Sequence, residues 1–263
     1  MMFCHKWRGH EKEVIDDFCG SRLLSLDLAD DGLQSSFYYF LPEYYEFETQ
    51  RYIREYLKPG MAAFDVGAHH GLLTILMADC VGKEGEVYSF EPERKNFMSL
   101  KQNIELNNFT WVHPMQFALS NKNGEGELIS FDAGSTLVSV QADISQFSEA
   151  SRESVQMITL DDFVEREKIS RIDLIKIDAE GGEHLILEGA KRCFSTGVIT
   201  QVICEIHSSH KTHAVGHDKI RKIFYDYGYK SYVLNPTLAK KEYLSELSPS
   251  ESVMGLQNLL FRK

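Results

Sequence analysis

The stretch AAFDVGAHHG (residues 62–71) joins a short apolar segment to a turn that contains Gly67 and Gly71. Residues 62–66 predict a buried strand, and the apolar stretch LLTILMADCV (72–81) behind the turn has the length of a helix. A strand that passes through a glycine turn into a helix begins a βαβ unit. We therefore predict an α/β fold with a parallel sheet.

The rest of the chain continues this alternation. Further strands are predicted at 86–91, 111–119, 155–160, 171–178 and 198–207, and helices at 93–107, 161–168, 183–194 and 217–227. Residues 229–234 and 257–262 have the pattern of two closing strands. The sequence thus predicts a doubly wound, mostly parallel sheet with helices on both faces.

Two segments depart from the alternation. Residues 121–158 form an insertion that includes a polar, serine-rich stretch at 133–154. Residues 1–58 form a separate N-terminal segment, whose aromatic stretch at 37–57 predicts a helix. The aromatic side chains indicate either core packing or a lid over a ligand. The remaining residues, 59–263, are predicted to form the domain proper.

Composition excludes several classes of protein. The 263 residues carry a formal net charge of −11, and a nucleic-acid-binding protein is expected to present a basic face instead. No apolar run approaches the roughly 20 residues that a membrane-spanning helix needs. The five cysteines include no CxxC pair, so neither a disulfide framework nor a zinc site is predicted. A reducing cytoplasm fits this cysteine usage best.

The glycine turn has the chemistry of a ligand site. Glycines at a strand-to-helix turn let the backbone adopt positive φ and approach a ligand closely. The spacing Gly67-x-x-x-Gly71 differs from the GxGxxG of dinucleotide sites, and Asp65 before the turn repels phosphates. An ammonium or sulfonium group is attracted by that charge. A purely structural turn is the alternative.

The second strand ends in Phe90-Glu91-Pro92. An acidic residue at this position accepts hydrogen bonds from the ribose hydroxyls of a nucleoside, and its distance in sequence from Gly67 is close to that expected. Pro92 suits the first turn of the following helix. The alternative is that Glu91 only supplies a favourable charge at a helix N-terminus. Together with the glycine turn, it predicts nucleoside binding.

Ionisable residues collect at the predicted carboxyl ends of two later strands. The first is DLIKIDAEGGE (173–183), with Lys176, Asp178 and Glu180, and the second ends in Glu205 and His207. Ligands of open α/β sheets bind at this edge. The carboxylates either pair with Lys176 or act on a substrate or metal. The histidines His207, His210, His213 and His217 match no named metal motif, so we do not favour a metal site.

These motifs, in this order, resemble the FkbM family of methyltransferases. The resemblance covers about residues 43–207 and rests on DVGAHHG, SFEPE, Asn103-Ile104-x-x-Asn107, Ala118-Leu119-Ser120, TLDDF (159–163), IKIDAEGGE (175–183) and EIH (205–207). It implies a class I, seven-stranded Rossmann-like fold that binds S-adenosylmethionine (SAM). Family members are usually O-methyltransferases on sugars, polyketides or related metabolites.

The resemblance also implies a cofactor site. Its residues would surround the methionine moiety, the ribose and the adenine of SAM: Asp65, Gly67, Ala68, His69, Gly71, Glu91, Pro92, Ala118 and Asp178. The sequence departs from the family at His69-His70, where the pattern usually has Asn-Ile. His69 can take the place of Asn in a hydrogen bond to the methionine carboxylate, and His70 is expected to be half-buried.

The sequence therefore predicts methyl transfer from SAM to a hydroxyl of a small-molecule, sugar or polyketide-like acceptor. Asp178 is the first candidate for the residue that contacts the acceptor, with Glu180, Glu205 and His207 in support. Two alternatives stay open: a non-catalytic methyltransferase-like binding domain, and a nicotinamide-dependent oxidoreductase. A divalent metal is a further alternative that we do not favour, and oligomeric state is not predicted.

Overall fold

A computed structural model describes residues 13–18, 22–26, 45–131, 134–137, 151–207, 217–235, 243–251 and 256–263. The helices are α1 (Phe47–Tyr56), α2 (Leu72–Val81), α3 (Arg94–Leu106), α4 (Leu160–Arg166), α5 (Glu183–Glu188), α6 (Lys191–Thr196) and α7 (His217–Asp226). In these ranges no helix combines the length and the apolar character that a bilayer span requires.

The strands number fourteen in the described ranges. They are β1 (Glu13–Phe18), β2 (Arg22–Leu26), β3 (Ala62–Val66), β4 (Glu86–Phe90), β5 (Val112–Met115), β6 (Ala118–Leu119), β7 (Gly124–Phe131), β8 (Gly134–Leu137), β9 (Ser151–Ile158), β10 (Ile172–Ile177), β11 (Ile199–His207), β12 (Lys230–Leu234), β13 (Leu244–Leu247) and β14 (Leu256–Arg262).

The main sheet has the strand order β13-β12-β14-β11-β10-β3-β4-β5. The strands from β11 to β5 are parallel to one another, and β14 runs antiparallel to both β11 and β12. This arrangement confirms the predicted class I methyltransferase fold. The sheet has one strand more than predicted, because β13 adds an antiparallel edge outside β12.

Helices cover both faces of the sheet because neighbouring strand residues alternate between them. Ala63 and Leu174 pack in the core that contains α1, α2 and α3. Phe64 and Ile175, one residue further along each strand, pack in the core that contains α4 to α7. Strands buried on both faces are apolar throughout, as in parallel sheets generally. This double burial explains the nearly continuous apolar segments of the sequence.

The described part of the N-terminal segment packs against the sheet. Tyr52, Ile53 and Leu57 are buried in the same core as α2. Ahead of this helix, β1 and β2 form an antiparallel hairpin that the sequence analysis did not predict, and β2 lies beside α3. The proposed lid and the boundary at residue 58 stay predictions.

The predicted insertion contains most of a second sheet, with the order β6-β9-β7-β8. The strand predicted at 111–119 is divided into β5, which belongs to the main sheet, and β6, which belongs to this second sheet. The helix predicted at 183–194 is divided into α5 and α6 at Gly189, where a Cβ atom would lie 2.0 Å from the carbonyl oxygen of Ser120. Much of the serine-rich stretch, at 138–150, lies outside the described residues.

Candidate functional site

The glycine turn between β3 and α2 is fixed by the end of β4. The N–H groups of Gly67 and Ala68 both donate to the carbonyl oxygen of Phe90, each at 3.0 Å. Gly67 and Gly71 have φ values of 80° and 89°, and Gly71 is the N-cap of α2. The turn therefore presents its backbone at the carboxyl edge of the sheet, where a βαβ fold binds ligands.

Gly67 also lies against the loop that follows β10. A Cβ atom at Gly67 would lie 1.8 Å from the carbonyl oxygen of Asp178, and the N–H of Asp178 donates to Val66 at 3.0 Å. The sequence predicts that Gly67 lets the backbone approach a ligand closely. In the structure Gly67 also lies close to protein backbone, because the loop after β3 touches the loop after β10 at this residue.

Gly67→Ala tests this contact, and Gly228→Ala is its matched control. Gly228 has a φ of 82°, nearly that of Gly67, but a Cβ atom there would meet nothing within 4 Å. Left-handed backbone strain alone costs on the order of 1–3 kcal/mol, and overpacking adds about the same again. We expect Gly67→Ala to lower the free energy of unfolding by about 2–5 kcal/mol in urea titrations, and Gly228→Ala by less. Equal losses would contradict the contact.

Glu91 connects the glycine turn to the start of α3. Its two carboxylate oxygens accept hydrogen bonds from the N–H groups of His69 at 2.8 Å and Glu93 at 2.9 Å. Burial raises the pKa of Glu91 to about 8, although both N–H groups favour the charged form. Pro92 lies ahead of the N-cap, Glu93, so its predicted place in the first helical turn is wrong. The Glu91–Glu93 hydrogen bond closes the loop there instead.

The histidine pair has a structural explanation. His69 has a φ of 51°, in the left-handed region that Asn and His adopt more readily than most residues. The Asn of the family pattern and this His therefore suit the same backbone. His70 is buried, whereas it was predicted to be half-buried. Its ring centroid lies 4.0 Å from that of His69, and its backbone carbonyl accepts a hydrogen bond from the buried side chain of Asn103.

Asp65 lies beneath the turn. Its side chain is buried and accepts a hydrogen bond from the hydroxyl of Thr74 at 2.6 Å, and Thr74 lies 2.9 Å from the hydroxyl of Ser89. Burial raises the pKa of Asp65, while Lys176 and Thr74 lower it. Direct contact of Asp65 with a ligand stays a prediction.

Lys176 is the centre of a buried charged cluster. Its Nζ atom lies 2.7 Å from Asp178 Oδ2 and 3.5 Å from Glu46 Oε1, and its side chain is 3% exposed. Burial lowers the pKa of Lys176, but four carboxylates more than offset this and keep it well above its usual value: Asp178, Glu46, Asp65 and Glu205. The pairing of Lys176 with a neighbouring carboxylate, one of the two predicted alternatives, is therefore observed.

Asp178 and Glu205 come together because β10 and β11 are neighbouring parallel strands. Burial, together with the charge and hydrogen bond of Asp178, raises the pKa of Glu205 to about 10. Glu205 therefore favours its protonated form far more than an ordinary carboxyl group does. Glu180, with a φ of 47°, is exposed in the loop beyond Asp178. His207 ends β11, and its side chain lies outside the described residues.

The sequence of the chain was compared with those of known protein families. The profile of the methyltransferase FkbM domain matches residues 65–231, which is more than half of the chain. The chain belongs to the FkbM methyltransferase family. Within the match lie the glycine turn, Glu91, Lys176, Asp178 and Glu205.

Individual relatives of this FkbM family chain are distant. A hexuronic acid methyltransferase, AglP, of Haloferax volcanii is 27% identical over 145 residues, which cover 55% of each protein. A crystal structure of methyltransferase FkbM from Methylobacillus flagellatus KT is 15% identical, with a TM-score of 0.48, and the match covers 81% of this chain and 50% of that one. The chain thus spans about half the length of these relatives.

A further structural match is a SAM-dependent methyltransferase from Aquifex aeolicus. It is 12% identical, with a TM-score of 0.43, and the match covers 81% of this FkbM family chain and 89% of that chain.

Two residues of the site were missed by the sequence analysis. Glu46, the N-cap of α1, lies outside the profile match, yet it contacts Lys176 and accepts a hydrogen bond from Asn258 at 3.0 Å. Glu183 is buried and accepts hydrogen bonds from the N–H groups of Ala179 and Gly181, so it holds the loop after Asp178. The sequence indicates Glu183 only as an acidic residue at the start of a predicted helix.

Ala118 lies apart from the charged cluster. Its side chain packs in the small core of the second sheet, with Leu128, Val155 and Met157. Its predicted role near adenine stays a prediction. Within the described ranges, no three His, Cys, Asp or Glu side chains are arranged to hold a metal ion. His210 and His213 fall outside these ranges.

Proposed function

We propose that this FkbM family chain transfers a methyl group from SAM to a hydroxyl of a carbohydrate-like acceptor. The main observation in support of the proposal is that carboxyl groups outnumber positively charged groups at the carboxyl edge of the sheet. Four carboxyl groups lie around the single ammonium of Lys176 in the described cluster, and Glu91, whose pKa burial raises to about 8, adds a fifth beside the glycine turn. A cationic ligand with hydroxyl donors would favour the ionised form of these buried groups.

The residues present fit SAM. Glu91 keeps acceptor capacity on both oxygens for the ribose hydroxyls, since a carboxylate has about four lone-pair sites and two N–H groups use two of them. The glycine turn and the N-terminus of α2 would hold the methionine moiety. When bound, SAM supplies a methyl group on a positively charged sulfur, which the acidic edge attracts.

Asp178 is the proposed base. With SAM and an acceptor bound, the Asp178 carboxylate would take the proton of the acceptor hydroxyl as the methyl group is transferred to its oxygen. Lys176, whose Nζ lies 2.7 Å from that carboxylate, and Glu205, which forms a hydrogen bond with it, would orient it. Holding both reactants in line supplies much of the remaining acceleration.

The acceptor class rests on similarity to a relative. AglP is a hexuronic acid methyltransferase, and it matches about half of this chain. A sugar hydroxyl is accordingly the proposed acceptor. The predicted reducing compartment belongs to the same proposal.

Calorimetry followed by a turnover assay tests the function. We expect the protein to bind SAM but not NAD, and to release S-adenosylhomocysteine when a panel of sugars and glycosides is added. Tight NAD binding without SAM binding would favour the oxidoreductase alternative. SAM binding without turnover on any acceptor in the panel would favour the non-catalytic alternative.

The raised pKa of Glu91 gives SAM binding a pH dependence. Ribose hydroxyls donate to the ionised carboxylate, and in the free protein that group is protonated below about pH 8. Below this pH a proton must leave before the ligand binds. We therefore expect the Kd for SAM to rise as the pH falls below about 8, by up to about tenfold per unit. Calorimetry in buffers of different ionisation enthalpy should detect the released proton.

Glu91→Gln is the control for this dependence. Gln keeps a side-chain carbonyl that can accept one of the two N–H groups, whereas Ala leaves both unpaired at about 1–3 kcal/mol each. We expect Glu91→Gln to bind SAM more weakly and without proton release. If it keeps the pH dependence of the wild type, the titrating group is another residue.

A further inference from the structure

Glu46 combines a strained backbone with a side chain that reaches the charged cluster. It is the N-cap of α1 but makes no side-chain cap hydrogen bond, and its φ of 43° is a left-handed conformation that costs a non-glycine residue on the order of 1–3 kcal/mol. Its carboxylate interacts with the Thr49 hydroxyl in the first turn, accepts a hydrogen bond from Asn258 and lies 3.5 Å from Lys176. The strained conformation therefore holds a carboxylate in the charged cluster.

We propose that Glu46 is a positioning residue for the reaction: by sharing the Lys176 ammonium with Asp178, it keeps Asp178 basic enough to take the acceptor proton. The inference rests on the proposed function. Its geometry is a buried ammonium between two carboxylates, 2.7 Å from Asp178 and 3.5 Å from Glu46. Glu46 comes from the N-terminal segment, so residues outside the family domain adjust the chemistry inside it.

The ammonium of Lys176 interacts with two carboxylates at once. An ammonium that pairs with a single carboxylate lowers the pKa of that group, and a second nearby carboxylate opposes the effect. Charged or titratable groups surround the Lys176–Asp178 pair on each packed element: Glu46 at α1, Asp65 on β3, Glu205 and Cys204 on β11, and Glu180 and Glu183 after β10. Glu46 and Asp178 both lie within ion-pair distance of Lys176, and Glu46 is the more distant of the two.

The first experiment is a titration that does not need turnover. Aspartate labelled with ¹³C at the side-chain carboxyl reports the ionisation of Asp178 by NMR, and Asp178→Asn identifies its signal. In Glu46→Gln we expect the midpoint of Asp178 to move to lower pH by about half a unit to one unit. Glu46→Asp, which keeps the charge, should restore most of the midpoint. An unmoved midpoint in Glu46→Gln would overturn the proposal.

Kinetics give the second measurement. The acidic limb of the kcat–pH profile should move in the same direction, with kcat lower by about three- to tenfold and KM for SAM nearly unchanged. Glu48→Gln is the matched control, since it makes the same change two residues further along α1 and should leave the profile unchanged. A purely structural role would reduce stability or raise KM without moving the limb, and would overturn the inference. Failure of the proposed function is distinct, because the wild type itself would then show no turnover.

Discussion

Asp178→Asn is expected to reduce kcat by about 10²–10⁴-fold, the range typical of a lost general base. The amide keeps the shape of the side chain but cannot accept the hydroxyl proton. The fold should survive, because Glu46, Asp65 and Glu205 still surround Lys176. The pKa of Glu205 should fall but stay above its ordinary value, since the Asp178 charge is gone while burial, the larger cause, remains. Single-turnover measurements at saturating SAM separate this loss from changes in binding.

Two comparisons complete the Asp178 experiment. Asp226→Asn makes the same substitution at an exposed carboxylate that pairs with Lys222 on α7, and activity should be unchanged. A chelator should leave wild-type activity intact, since the proposal needs no divalent metal. Loss of activity on chelation would instead assign the carboxylates to a metal ion. Full activity in Asp178→Asn would leave alignment of the reactants as the sole source of acceleration.

The elements predicted best from the sequence are those whose patterns are local. The bounds of β3 and α2 agree with the predicted 62–66 and 72–81, because a short apolar segment, a glycine turn and an apolar helix are all determined by neighbouring residues. The edge strand β13 and the β1–β2 hairpin were not predicted. Their stability depends on pairing with a partner strand, which leaves only a weak pattern in the sequence.

The part of the candidate site that was predicted also follows from local sequence patterns and the strand order that they imply. Asp178 and Glu205 end strands that the α/β rhythm makes neighbours, so their proximity follows from topology. Glu46 was missed because its contact with Lys176 joins segments that are far apart in sequence, and an acidic residue before a helix is common. The division of the 183–194 helix depended on the approach of Gly189 to Ser120, which no periodicity reveals.

Removal of the buried cation is expected to have the largest effect on stability. In Lys176→Met the buried carboxylates of Asp178, Glu46 and Asp65 lose their counter-charge, and breaking a buried ion pair in this way costs about 3–5 kcal/mol. The matched control is Lys222→Met, in which an ammonium 2.7 Å from Asp226 is removed from the surface. Exposed pairs contribute about 0–1 kcal/mol, so the control should be nearly neutral.

The dependence of this loss on pH identifies its cause. Burial raises the pKa of Glu46 and Asp65. The contribution of each group to the free energy of unfolding is therefore fully present below its unfolded pKa, and it is lost as the pH rises through its folded pKa. Lys176 opposes this loss in the wild type, and its own pKa lies well above the range tested. In urea titrations we therefore expect the deficit of Lys176→Met to be smallest near the unfolded pKa of these carboxyl groups and to grow as the pH rises above it. A deficit that is constant across this range would indicate lost packing by the lysine stem instead of uncompensated charge.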